Sequence, residues 1–155
     1  MPTLKGHLTE GKPLIEVALI PVLPPVYGVV PQFTPPSVNV VHYRALLDTG
    51  ADVTSICSHV INTNSLRPVG LHGVTTVKGT NNHRTYLVNI GLLSERDADF
   101  EGDNHKVKEI FLLPRPLLAI GITDVAWFDI IIGMDIISQG ELKFFRGGSF
   151  EFKID

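Results

Sequence analysis

Proline and glycine do the most to restrict what this chain can fold into. Eleven prolines and fourteen glycines are spread along 155 residues, and both residue types punctuate regular structure. Elements interrupted so often are short, which favours an all-β domain over a helical bundle. With 44% hydrophobic and 19% charged residues, the chain is long enough to bury one core and too short for two. One domain over residues 1–155 is therefore expected.

Charge removes one class of partner. The formal net charge is -3, and the thirteen Lys and Arg residues are scattered. Without a basic stripe, a nucleic-acid surface is not expected. The single cysteine, Cys57, has no intrachain partner for a disulfide, which fits a reducing, cytoplasmic setting. The N-terminal stretch "MPTLKGHLTEGKPLIEV" lacks a basic segment followed by an apolar one. The longest apolar runs are broken by proline or charge well short of a membrane span, so neither a leader nor a membrane partner is expected.

Along the chain, residues 6–20 offer two extended runs around Glu10-Gly11-Lys12, which predicts a β-hairpin. Residues 21–37 hold six of the prolines and are expected as a proline-rich insert (a surface loop, arm or edge segment), because proline cannot donate to a central strand. "VNVVHYRALLD" (38–48) reads as a strand ending at an acid. "VTSICSHVI" (53–61) fits a helical turn and a strand equally poorly. Residues 70–93 combine glycines at 70, 73 and 79 with a strand in which Tyr86, Val88 and Ile90 alternate against Leu87 and Asn89, a hairpin pattern. The polar block 94–106 is expected as a solvated loop, without calcium-ligand spacing. "VKEIFLLP" and "LLAIGI" read as buried strands, and "WFDIIIGMDII" (127–137) as the most apolar strand and turn. "ELKFF" and "SFEFKID" alternate with period two around Gly147-Gly148.

The segment "ALLDTGADVTSI" (45–56) poses the chemical question. Asp48 arrives at the end of an apolar run, where a carboxylate is costly to bury unless paired. Nucleophilic catalysis would need a base and an orienting group, and the six histidines do not identify such a set. Cys57 is better read as a small buried hydrophobe than as a nucleophile. His72 and His83 stand eleven positions apart and no His-Glu-x-x-His or Cys-x-x-Cys occurs, so neither a metal nor another cofactor is expected. Two carboxylates sharing a proton around a water would perform acid–base chemistry. The chain has one Asp-Thr-Gly, so a second acid would have to come from an identical subunit.

"LLDTGADVTSI" together with "DIIIGMDII", about eighty residues later, resembles the retropepsin-like aspartic proteases. The resemblance implies a retropepsin-like closed β-barrel subunit, all-β with one short C-terminal helix, working as a homodimer on a peptide or protein substrate. It makes Asp48 the catalytic acid, beside Asp48 of a second copy. Thr49 would interlock the two acid loops, and Gly50 would bring its N–H to the carboxylates. Ala51 and Asp52 would line the cleft and meet the substrate backbone. Gly73, Val74, Thr75 and Thr76 would form a flap over bound peptide. Ile131, Ile132 and Gly133 would pack behind the acid loop, Ile131 and Ile132 also at the substrate side, with residues 135–139 opening the short helix.

Each role has a plainer competitor. Asp48 could be a helix cap or turn residue, and Asp52 an exposed or capping acid. Asp129 and Asp135 read as structural, Gly73 and Gly79 as turn-shaping, and Trp127 as core or interface. Viral members usually carry Arg where this chain has Met134, so the ion pair that Arg makes with the acid matching Asp52 is missing here. The flap also lacks the doubled glycines of viral members. The main rival reading keeps the fold and uses the dimer as a peptide-binding or assembly module; a third reading is a metal-dependent hydrolase.

Overall fold

The computed structural model describes residues 2–22, 41–100 and 103–155. The strands in chain order are β1 (Thr3–His7), β2 (Leu14–Pro21), β3 (His42–Leu47), β4 (Ser55–Cys57), β5 (Gly70–Thr76), β6 (Gly79–Phe100), β7 (Asp103–Leu112), β8 (Leu117–Ile122), β9 (Ile130–Ile132), β10 (Gly140–Phe144) and β11 (Ser149–Ile154). Helix α1 (Ser58–Thr63) follows β4, and α2 (Met134–Ile137) follows β9. The domain is all-β, with two short helices among the described residues rather than the one expected. The segment 53–61 that fitted neither pattern divides between β4 and the start of α1. None of the described helices is long and apolar enough to cross a membrane.

Six strands close a ring of hydrogen bonds. β2 pairs β3, β3 pairs β9, β9 pairs β4, β4 pairs β8, β8 pairs β6, and β6 returns to β2. The β3–β9 and β4–β8 contacts are parallel and the rest antiparallel. Closure leaves no unpaired edge around the ring, so its apolar residues can be buried without exposing backbone donors. Val17, Ala45, Ile56, Val88, Ile90, Ile130 and Ile132 are all fully buried in one core cluster. The alternation of Tyr86, Val88 and Ile90 points those three side chains into that core, while Leu87 and Asn89 are half-buried.

β10 and β11 form the hairpin that the period-two pattern predicts, turning at Gly147 and Gly148, both at positive φ. β1 adds to the other side of β11, giving a three-stranded sheet in the order β1-β11-β10. Phe150, Phe152 and Ile154 alternate inward from β11 and join the same core.

Three expectations change. The reversal at Glu10-Gly11 is present: both residues have positive φ, 50° and 77°, and Thr9 and Lys12 exchange backbone hydrogen bonds of 2.9 and 3.0 Å. Glycine adopts such a φ without steric cost. The flanking strands do not pair with each other, however; β1 joins β11 while β2 joins β3 and β6. The turn thus carries the chain from one sheet to another instead of closing a hairpin. Lys12 then places its ammonium 3.7 Å from the ring centroid of Trp127, a cation–π contact that fastens this turn to the segment before β9. Trp127 itself is 51% exposed, so it is not a core residue.

The polar block 94–106 contains a ribbon rather than a loop. β6 and β7 stay in antiparallel register from Gly91 opposite Leu112 to Phe100 opposite Asp103. Backbone pairing needs no apolar periodicity, which is why a hydrophilic sequence concealed it. β8 is a strand as expected but only partly buried, with Leu118 exposed. The proline-rich insert lies outside the described residues from residue 23 onward; Pro21 is the last residue of β2, opposite Val88.

Candidate active site

β3 delivers the acid. It runs parallel to β9, and the ladder continues one residue past the strand, where the Asp48 N–H donates to the Ile132 carbonyl at 3.0 Å. The Leu47 and Ile132 side chains are buried behind it. The chain then turns: the Gly50 N–H donates to Asp48 Oδ1 at 2.9 Å, and the Ala51 N–H to the Asp48 carbonyl at 3.2 Å. Asp48 is half-buried, while Thr49 and Gly50 are exposed. The carboxylate is therefore held by a backbone amide at the mouth of the ring, with open surface beside it.

The turn is anchored from below by the segment that the second motif supplies. The Met134 N–H donates to the Ala51 carbonyl at 2.7 Å, and the Asp135 N–H to the Asp52 carbonyl at 3.1 Å. The first amides of a helix lack partners within it, and here the acid loop provides acceptors for two of those of α2. Asp135 returns the contact. Its carboxylate accepts the Thr54 N–H at 2.9 Å and the Thr54 hydroxyl at 2.7 Å, while the Gly133 N–H donates to the same hydroxyl oxygen at 3.2 Å. Thr54 is fully buried, so these bonds replace the water it loses.

Gly133 has to be glycine for this docking. A Cβ there would lie 2.6 Å from the Val53 carbonyl carbon and 2.9 Å from the Ala51 oxygen. The side chain is missing because the loop's own backbone occupies its place.

The expected cleft residues divide into two groups. Asp48, Thr49, Gly50, Ala51 and Asp52 form one continuous turn against Ile131, Ile132 and Gly133. Ile132 was expected at the substrate side, but it is fully buried and supports the loop through packing. Ile131 is half-buried, between Leu46 and Ser55 in the sheet. Asp52 is exposed, with its carbonyl rather than its carboxylate engaging α2.

Gly73, Val74 and Thr75 lie apart from this turn, on the outgoing strand of a β5–β6 arm, opposite Asn82, Asn81 and Thr80. The arm reverses at Val77 and Lys78, one or two residues beyond the expected flap segment, and Val77 is fully exposed. Thr75 and Thr80 share a hydroxyl contact of 2.9 Å across it, and the Lys78 N–H donates to the Thr76 hydroxyl at 3.2 Å.

Sequence reasoning did not find Thr54. Its signal is available in retrospect: a threonine just before an apolar strand, followed later by Gly-x-Asp, is a buried hydroxyl awaiting a carboxylate. A second polar group also emerges. His59, in α1, sets Nδ1 2.8 Å from Asp124 Oδ1 and Nε2 2.9 Å from Asp129 Oδ1. The hydrogen bond to Asp124 chiefly raises the His59 pKa; burial opposes it, and the hydrogen bond to Asp129 adds to the rise. Asp124 is held below the usual carboxylate range by the His59 backbone N–H and imidazole. Asp129 also accepts the Arg44 N–H at 2.8 Å, so the structural role expected of Asp129 and Asp135 is visible in both.

No protein-family model and no curated protein matches the sequence.

Proposed function

We propose that the chain is the subunit of a retropepsin-like aspartic endopeptidase, active as a homodimer in the cytoplasm. The observation that carries the reading is the mutual docking of the Asp-Thr-Gly turn and the Gly-Met-Asp segment, which holds Asp48 by a backbone amide at an open surface. The closed six-strand ring supports it by giving that turn a rigid base.

Two such turns meeting across a two-fold axis bring two Asp48 carboxyls together. One acts as base toward a water that attacks the peptide carbonyl, while the other, protonated, donates to the carbonyl oxygen. Thr49 and Gly50, exposed beside the acid, are the contacts between the turns, and the Gly50 N–H offsets the charge of the pair. The peptide lies extended beneath the arm around Val77, its backbone pairing as an added strand. No metal or cofactor takes part in these steps.

The test is Asp48→Asn, measured by cleavage of a mixed peptide library and by sedimentation. The expected result is a folded dimer whose turnover falls by at least about 10³-fold, the scale set by loss of an essential acid–base group. Undiminished cleavage overturns the reading. A wild-type dimer that binds peptides without cutting them assigns the fold to recognition instead.

A further inference from the structure

We propose that Cys57, His59 and Asp124 form a binding site for one zinc-class divalent cation, with Asp129 orienting the imidazole from behind. The three donors come from two pieces of chain: Cys57, at the end of β4, and His59, in α1, stand two positions apart, and Asp124 sits in the connection between β8 and β9. Their ligand atoms nevertheless lie within 4.8 Å of one another. Ligands of a tetrahedral zinc ion with these atom types stand roughly 3.5 Å apart, so a rearrangement of about 1 Å completes the set, the widest separation closing while His59 Nδ1 and Asp124 Oδ1, 2.8 Å apart, open to admit the ion. Asp124 and His59 can supply it, since their side chains are 57% and 43% exposed.

Two features distinguish this group from a chance cluster. The first is the outer carboxylate. A histidine that binds metal through one ring nitrogen characteristically donates its other N–H to a carboxylate. Here Nε2 faces Asp129 Oδ1 at 2.9 Å, and Asp129 is only 20% exposed and is fixed by the Arg44 backbone N–H. Nδ1 faces Asp124 Oδ1 at 2.8 Å.

The second feature is the sulfur. Cys57 is the chain's one thiol, buried at the end of β4 with its Sγ within 4.8 Å of the other two donors. A thiol, an imidazole and a carboxylate facing each other gain a common partner from a divalent cation. Sulfur and nitrogen donors favour zinc over magnesium or calcium.

Binding exchanges protons for metal: the Cys57 S–H proton and the proton on His59 Nδ1 leave to solvent, and no bond to carbon changes. Three protein ligands leave a fourth position for water. The consequence is a cross-link between the start of α1 and the β8–β9 connection, outside the Asp48 turn. It does not depend on the proteolytic reading.

The test uses the full chain, kept reduced, stripped by a chelator and titrated with Co2+ alone. One Co2+ per chain is expected, with a thiolate-to-cobalt charge-transfer band and the visible bands of a four-coordinate ion, both removed by Zn2+. Cys57 is the chain's one cysteine, so the charge-transfer band reports this site, and Cys57→Ser should abolish it. Asp124→Asn alters an exposed side chain outside the core and should weaken binding at least about tenfold; Asp129→Asn should weaken it by about 10–100-fold, the scale of an outer-shell loss. Absence of saturable binding, a bound ion without the sulfur band, or unchanged affinity in Asp124→Asn overturns the proposal.

Discussion

The turn that carries Asp48 and the arm that carries Val77 are built in opposite ways. Around Asp48 the backbone is bound to elements distant in sequence. Ile132, Met134 and Asp135 reach residues 48–54 through five hydrogen bonds, and Gly133 allows the two backbones to touch. The β5–β6 arm is held by its own pairing, and every β5 residue except Val74 is exposed. A fixed turn can keep a carboxylate in one geometry, whereas an exposed ribbon can move over a surface at small energetic cost. On the proposed reading, the difference separates a place for chemistry from a cover for it.

The sharpest way to break this contrast is Gly133→Val. The added side chain must displace the Val53 carbonyl, so a loss of roughly 3 kcal/mol or more is expected, at the upper end of overpacking effects, read as a drop in the urea midpoint. Asp135→Ala should cost about 2–3 kcal/mol, because it leaves the buried Thr54 hydroxyl and N–H without their carboxylate. If both variants fall within about 0.5 kcal/mol of wild type, the turn is not anchored in this way. In the arm, Thr75→Ala combined with Thr80→Ala should change stability by less than about 0.5 kcal/mol while lowering peptide turnover. An equal effect on folding would erase the distinction between the two regions.

The smallest effect concerns His59, which belongs to neither region. Its pKa is raised above the ordinary value of 6.5, chiefly by Asp124. In metal-free protein the stabilisation from the imidazolium is fully present below that ordinary value and is lost as pH rises through the raised one. The melting temperature of chelator-treated protein should therefore decline over this window relative to His59→Gln. The half-exposed side chain keeps the change small. A flat difference between the two proteins shows that the pairs contribute nothing.

Local pattern made much of this legible. The Tyr86–Ile90 alternation, the Gly147-Gly148 hairpin and the reversal at Glu10-Gly11 follow from side-chain period and from backbone freedom, both properties of neighbouring residues. The pairing of the Asp-Thr-Gly and Gly-Met-Asp segments was suggested by resemblance; why Gly133 and Asp135 stand there became visible only from the loop they touch. The β6–β7 ribbon was hidden because its hydrogen bonds join backbones and left no apolar signature in residues 94–106.

What the sequence determined by itself was the all-β character, one strand ending at an acid, and the turns where glycine relieves strain. Tertiary structure decided which strands became neighbours: it sent β1 to β11 instead of β2, closed β6 onto β2, and brought Asp124 to His59 across 65 positions. The physical reason is that a turn fixes direction over a few residues, whereas a strand's partner is chosen by burying apolar faces and satisfying backbone groups throughout the domain.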